Sequence, residues 1–174
     1  MAQTAQIIRG VRNEMTTEEF TEHFLEIIRP LDYEVSGLGD SIYLKVKDDP
    51  IDKEGGRGVR VSLGTNCPSF VINRVTQYAD VFFDFLWDDE RHGPESMNSD
   101  MILAITAEYM KHYPDALFHA EWYLVLDKVD IDRIASQPFD PGWFYRYQSH
   151  LHITDDEGPG DWIIDGEVSD ESDR

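Results

Sequence analysis

Carboxylates that recur along one short stretch are the first residues whose type and spacing could do chemistry. Asp80, Asp84 and Asp88 stand four residues apart, and Asp89 and Glu90 continue the run. Helical spacing of the apolar residues in the same stretch predicts an amphipathic helix; these residues are Tyr78, Val81, Phe82, Phe85 and Leu86. On a helix, like charges four residues apart repel each other by about 0.2 to 0.5 kcal/mol per pair. We therefore expect an acidic ridge, which either meets a basic partner or is balanced by internal bases and solvent.

An aromatic residue, Trp87, lies within this predicted ridge and away from the centre of the apolar stripe. Tryptophan is enriched at the hot spots of protein interfaces. An acidic surface with an aromatic anchor fits over a cationic groove, such as the active site of a nuclease. The predicted partner-binding residues are therefore Asp80, Asp84, Trp87, Asp88, Asp89 and Glu90.

Histidines at alternating positions form a second group of candidate residues. His150 and His152 share one face of a strand predicted over residues 143–153, and His119 and Glu121 alternate in the same way in an earlier predicted strand. Two imidazoles and a carboxylate are suitable ligands for zinc or non-haem iron, so a metal-dependent enzyme is one alternative. The other interpretation is the solvated face of an antiparallel sheet. We favour the solvated face, and therefore expect no metal and no cofactor.

The spacing from His150 through His152 to Glu157 resembles part of the first metal motif of the cupins. The glycine spacings that flank this motif in cupins are missing, and no second motif follows in the sequence. The resemblance is therefore confined to one short segment and assigns no family.

Charge and composition limit the kinds of partner. The chain has 174 residues, with 35 Asp or Glu, 15 Lys or Arg and a formal net charge of -20. Such a charge excludes binding to nucleic acid through the net field, and 41% hydrophobic residues exclude a disordered chain. The single cysteine, Cys67, permits no intrachain disulfide and fits a reducing cytosol. With no long apolar run, we expect a cytoplasmic protein that contacts neither membrane nor nucleic acid directly.

The periodicity of apolar residues predicts the elements that must position these groups. A capping box, Thr16 with Glu19, begins a helix that ends at Pro30. Alternating residues predict a hairpin over 42–46 and 59–63, a strand over 118–126 and a strand over 143–153, and further helices are expected over 99–112 and 130–135. The expected fold is α+β, a single domain with a mostly antiparallel, twisted sheet of about five strands and about three helices packed on one face.

Residues 1–154 are expected to form this globular domain, and residues 155–174 an acidic and partly flexible tail. Because no complete catalytic motif is present, the leading hypothesis is a non-enzymatic binding or inhibitor protein whose partner is a basic protein such as a toxin or nuclease domain. In size and acidity the chain is similar to the small immunity proteins that neutralise bacterial toxins. A phage-type DNA mimic, a metal-dependent enzyme and a homo-oligomeric or scaffold subunit are the alternatives.

Overall fold

The computed structural model describes residues 2–39, 41–50, 57–64, 68–87, 98–120, 124–143 and 147–151. The acidic tail expected over 155–174 lies outside these residues. Three helices lie in the described part: α1 (Thr17–Ile28), α2 (Ser99–His112) and α3 (Lys128–Ala135). The strands there are β1 (Ala2–Arg9), β2 (Glu34–Leu38), β3 (Ser41–Lys45), β4 (Gly58–Leu63), β5 (Pro68–Ile72), β6 (Val75–Trp87), β7 (Leu117–Ala120) and β8 (Leu124–Leu126).

The strands form one antiparallel sheet in the order β2-β3-β4-β6-β1-β7-β8, and β5 pairs with β6 beside this path. The predicted α+β class and antiparallel sheet are therefore confirmed, with more strands than the five expected. The additional strands include β1, which lies in the interior of the sheet. Its Ile7 belongs to the main core, whereas the adjacent Ile8 belongs to a second cluster with Ile72 and Val125. Because both faces of β1 are buried, its sequence shows no alternation of apolar and polar residues.

Local signals predicted several elements correctly. The capping box of α1 is present, with Thr16 Oγ1 accepting from the backbone N–H of Glu19. Helix α1 ends at Ile28, and Pro30 lies in the 3-10 turn that follows. The predicted hairpin is formed by β3 and β4, which pair Ile42 with Val61.

The helices lie on one face of the sheet, as predicted. Phe20 and Phe24 of α1, Ile105 of α2 and Ile131 of α3 belong to the same buried cluster as the inward residues of the strands, such as Val61. Burial of this single apolar face of the sheet against the helices makes the main core.

The helix predicted around Asp80 and Asp84 is wrong, because these residues lie in strand β6, which pairs with β1, β4 and β5. Along β6 the alternating residues Ala79, Val81 and Phe83 are buried. The register with β1 shifts twice along the strand, and these shifts interrupt a strict two-residue period. Pairing with β1 and β4, which lie further away in the sequence, and with the adjacent strand β5 outweighs the local helical pattern.

Two further predictions about strands are corrected. The single strand expected over 118–126 is a hairpin of β7 and β8, in which Phe118 pairs with Leu126. The described residues 147–151 of the strand expected over 143–153 are not in a strand. Trp143 has helical backbone, and its side chain is buried. Helix α3 begins at Lys128, earlier than residue 130, because Asp127 caps it.

Candidate functional site

The residues of the predicted acidic ridge lie in different environments. Asp80 is only 1% exposed, and Tyr109 donates a hydrogen bond from its hydroxyl to Oδ2 of Asp80 at 2.6 Å. Burial raises the pKa of Asp80 to about 6, although Tyr109, Arg9 and Asn13 act to lower it. Asp80 therefore belongs to the core and not to an exposed ridge.

Asp84 lies nearer the surface, and its Oδ2 is 3.9 Å from Nε of Arg60 on the neighbouring strand β4. Trp87 ends strand β6, and nothing is described of its side chain. Residues 88–90, which hold the other predicted partner-binding carboxylates Asp88, Asp89 and Glu90, lie outside the described residues. A contact between Asp84, Trp87 or these residues and a partner stays a prediction.

Asp80 is one member of a polar cluster behind α2. The rings of Tyr109 and Tyr113 lie 5.1 Å apart, and the Arg9 guanidinium lies 4.2 Å from the centroid of Tyr113. Arg9 also pairs with Asp115 at 3.1 Å. The cluster thus connects β1, β6 and the C-terminal end of α2 through charged and aromatic contacts.

His119 and His150, the two described histidines of the predicted metal site, have different partners. His119 on β7 is partly buried and has its Nδ1 3.0 Å from Nε2 of Gln6, and burial lowers the pKa of His119 to about 4. His150 lies instead beside α3, with Nε2 2.8 Å from Oδ2 of Asp127. His152 and Glu121 lie outside the described residues.

In the part of the chain that the structure describes, one set of three His, Cys, Asp or Glu side chains brings its ligand atoms within 4.8 Å of one another: Asp127, Asp130 and His150. Asp127 could be found from sequence as the N-cap of α3, but its proximity to His150 depends on how the later segment folds back. These three side chains are therefore the candidate metal ligands among the described residues.

The fully buried Asp130 carboxylate already accepts several hydrogen bonds. Its donors are the hydroxyls of Tyr147 at 2.9 Å and Ser149 at 2.7 Å, and the backbone N–H groups of His150 at 3.1 Å and Asp127 at 3.3 Å. Burial raises the pKa of Asp130, but these hydrogen bonds outweigh it and lower the pKa overall. A metal ion would have to replace several of these bonds, so we assign the cluster a structural role, fixing residues 147–150 to α3.

A groove of about 720 Å³ follows the outer side of α1. Its lining contains more carboxylates than cations; the residues are Met15, Glu19, Glu22, His23, Leu25, Glu26 and Arg29. Glu19, Glu22 and Glu26 are exposed, and the Arg29 guanidinium pairs with Glu26. Sequence reasoning missed this face, although a signal was present. The buried positions of α1 are Phe20, Phe24 and Ile28, so the glutamates between them had to face outward.

His23 lies in the lining of the groove and contacts the end of α2. Its Nε2 is 2.6 Å from the Tyr113 hydroxyl, and its ring centroid is 5.0 Å from that of His112. Burial and the neighbouring His112 both lower the pKa of His23. The two imidazole planes meet at 72°, edge to face.

Comparison with known proteins gives no assignment, since no family model, no curated protein and no solved structure matches this chain. Among the described residues, none of the helices has both the length and the apolar character required to cross a membrane.

Proposed function

We propose that the protein is a non-enzymatic binding protein whose α1 groove holds a cationic segment of a partner protein. The observation that carries this proposal is the lining of the groove, whose described residues include three glutamates, Glu19, Glu22 and Glu26, and one guanidinium, that of Arg29. Arg29 is paired with Glu26, but three carboxylates against one guanidinium leave the described lining residues with a net negative charge for a partner. The apolar side chain of Met15, 37% exposed, adds surface that a bound segment would bury.

The charge of the whole chain supports the same partner class. A formal net charge of -20 attracts basic proteins over distances up to the Debye length, about 8 Å at physiological ionic strength. Such steering acts mainly on the association rate. We propose a toxin or nuclease domain with a cationic surface as the partner, which would make this chain an inhibitor of the immunity-protein type. A cytoplasmic location, with which the single Cys67 is compatible, belongs to the same proposal.

The test uses a fluorescent octa-arginine peptide as the cationic probe and measures its dissociation constant by anisotropy. Glu22→Gln with Glu26→Gln removes two charges from the groove. The matched control, Glu34→Gln with Asp48→Asn, removes two exposed charges from the region of β2 and β3. The groove variant should weaken binding about tenfold, and the control by less than about twofold. Equal effects of the two variants, or no binding by the unchanged protein, would contradict the proposed site.

A further inference from the structure

We propose that His23 and His112 make the α1 groove a pH-dependent site, which holds a cationic segment while both imidazoles are neutral and releases it when they are protonated. This inference rests on the proposed function, because it concerns regulation of the same groove.

The positions of the two histidines carry the inference. His23 lines the groove, between Glu22 and Glu26 along α1. His112 is exposed at the last position of α2, and its ring contacts that of His23 at a centroid distance of 5.0 Å. Protonation would therefore add up to two positive charges beside the carboxylates that are available to a cationic partner. Because three carboxylates and one guanidinium give the described lining residues a small net negative charge, this change is a large fraction of that charge.

The charged and titratable groups around the pair come from three elements. Those on or beside α1 are Glu19, Glu22, Glu26 and Arg29. Those at the end of α2 are Tyr109, Lys111 paired with Glu108, and Tyr113. Those from β1 and the turn after α2 are Arg9 and Asp115, which pair with each other next to Tyr113.

Among these groups, histidine is the residue type with an ordinary pKa between 5 and 8. Burial raises the pKa values of Tyr109 and Tyr113, so both stay neutral. The lowered pKa of His23 keeps its imidazole neutral near pH 7. Asp80, behind Tyr109, has a pKa of about 6 and would lose negative charge over the same range. Protonation of Asp80 would also weaken the binding of a cationic segment, as protonation of the histidines does. Asp80 therefore needs its own control.

The octa-arginine peptide is a suitable probe because arginine keeps its charge throughout this range. Its dissociation constant is measured at about pH 8 and about pH 5.5, at constant ionic strength. We expect binding by the unchanged protein to weaken about tenfold at the lower pH. His23→Gln with His112→Gln should bind almost equally at both pH values, since glutamine keeps a polar group near Tyr113 without titrating.

Two control variants test whether the pH dependence of peptide binding comes from His23 and His112. His150→Gln, which changes a histidine beside α3, should keep the full pH dependence, and Asp80→Asn should keep most of it. If the double histidine variant does not fold, His112→Gln alone, at an exposed position, should remove about half of the logarithmic change.

The inference is overturned if the unchanged protein binds the peptide equally at both pH values, or if the double histidine variant keeps the pH dependence. In both cases the proposed function stands, provided that binding still depends on Glu22 and Glu26. If the peptide does not bind at all, or if its binding ignores these glutamates, the proposed function and this inference both fail.

Discussion

The hydroxyl of Tyr109 on α2 lies 2.6 Å from Oδ2 of Asp80 on β6, and both residues are enclosed in the core. Asp80 stands where the pairing of β1 and β6 changes register, between the pairs Ile7 with Val81 and Ile8 with Ala79. The hydrogen bond therefore joins the helical layer to the sheet at an irregularity of the central strands. It also gives a buried carboxylate one of the few donors within its reach.

Replacing Tyr109 by phenylalanine should destabilise the protein by about 1.5 to 3 kcal/mol, because the carboxylate loses a donor and stays buried. The free energy of unfolding from urea denaturation measures the effect. Tyr43→Phe is the matched control, since Tyr43 is 37% exposed and its change should cost less than about 0.5 kcal/mol. Similar losses in the two variants would show that the bond between Tyr109 and Asp80 contributes little.

Replacing Asp80 by asparagine should alter how stability depends on pH. Because the pKa of Asp80 rises from 3.8 to about 6 on folding, the folded protein binds this proton more tightly than the unfolded chain does. The resulting stabilisation is complete below about pH 4 and is lost as pH rises through about 6. The variant lacks this loss, so its stability relative to the unchanged protein should rise by about 2 to 3 kcal/mol across that range.

Urea denaturation at several pH values, with both proteins measured under identical conditions, gives this difference directly. His119, whose pKa falls to about 4, titrates in the same range but is present in both proteins and cancels in the comparison. A difference that does not change with pH would mean that Asp80 titrates normally in the folded protein.

Replacing Asp130 by asparagine should destabilise the protein by about 2 kcal/mol, because only one side-chain oxygen remains to accept the hydrogen bonds that fix residues 147–150. Hydrogen exchange of the His150 amide, a donor to Asp130, should become faster. Asp132→Asn is the control on the same helix, since Asp132 is exposed and pairs with Lys128. The Asp132→Asn variant should lose less than about 0.5 kcal/mol of its free energy of unfolding.

The same variants separate the structural role from a metal site. Equimolar zinc should leave the thermal midpoint of the unchanged protein where it is, because Asp130 already accepts its full set of hydrogen bonds. A rise in the midpoint that disappears in Asp130→Asn would contradict the structural role and support a metal centre at Asp127, Asp130 and His150.

Elements with local signals could be predicted from the sequence. The capping box at Thr16 and the apolar spacing after it define α1, and alternation defines the hairpin of β3 and β4. The stretch from Ser99 to His112 forms the buried helix α2, as expected from its many apolar residues. In each case, the interactions that select the structure lie within a few residues of one another or between neighbouring strands.

The glutamates of the candidate groove could also be predicted from the sequence, because the buried face of α1 fixes which glutamates face solvent. The contact of His23 with His112 and Tyr113 could not be predicted, because these two residues lie at the end of α2, far from α1 in the sequence. The helix expected around Asp80 was wrong for a related reason. Aspartates four residues apart share a side on a helix, but in β6 the register shifts help bring Asp80 into the core.

The sequence by itself determined the α+β class, the acidic charge, the helix α1 and the hairpin of β3 and β4. Only the tertiary structure decided that the first residues form the interior strand β1, that β6 is a strand, and that His150 meets Asp127. The physical reason is the range of the interactions. Caps and alternation act between neighbours, whereas β1 and β6 pair with each other although they are far apart in the sequence.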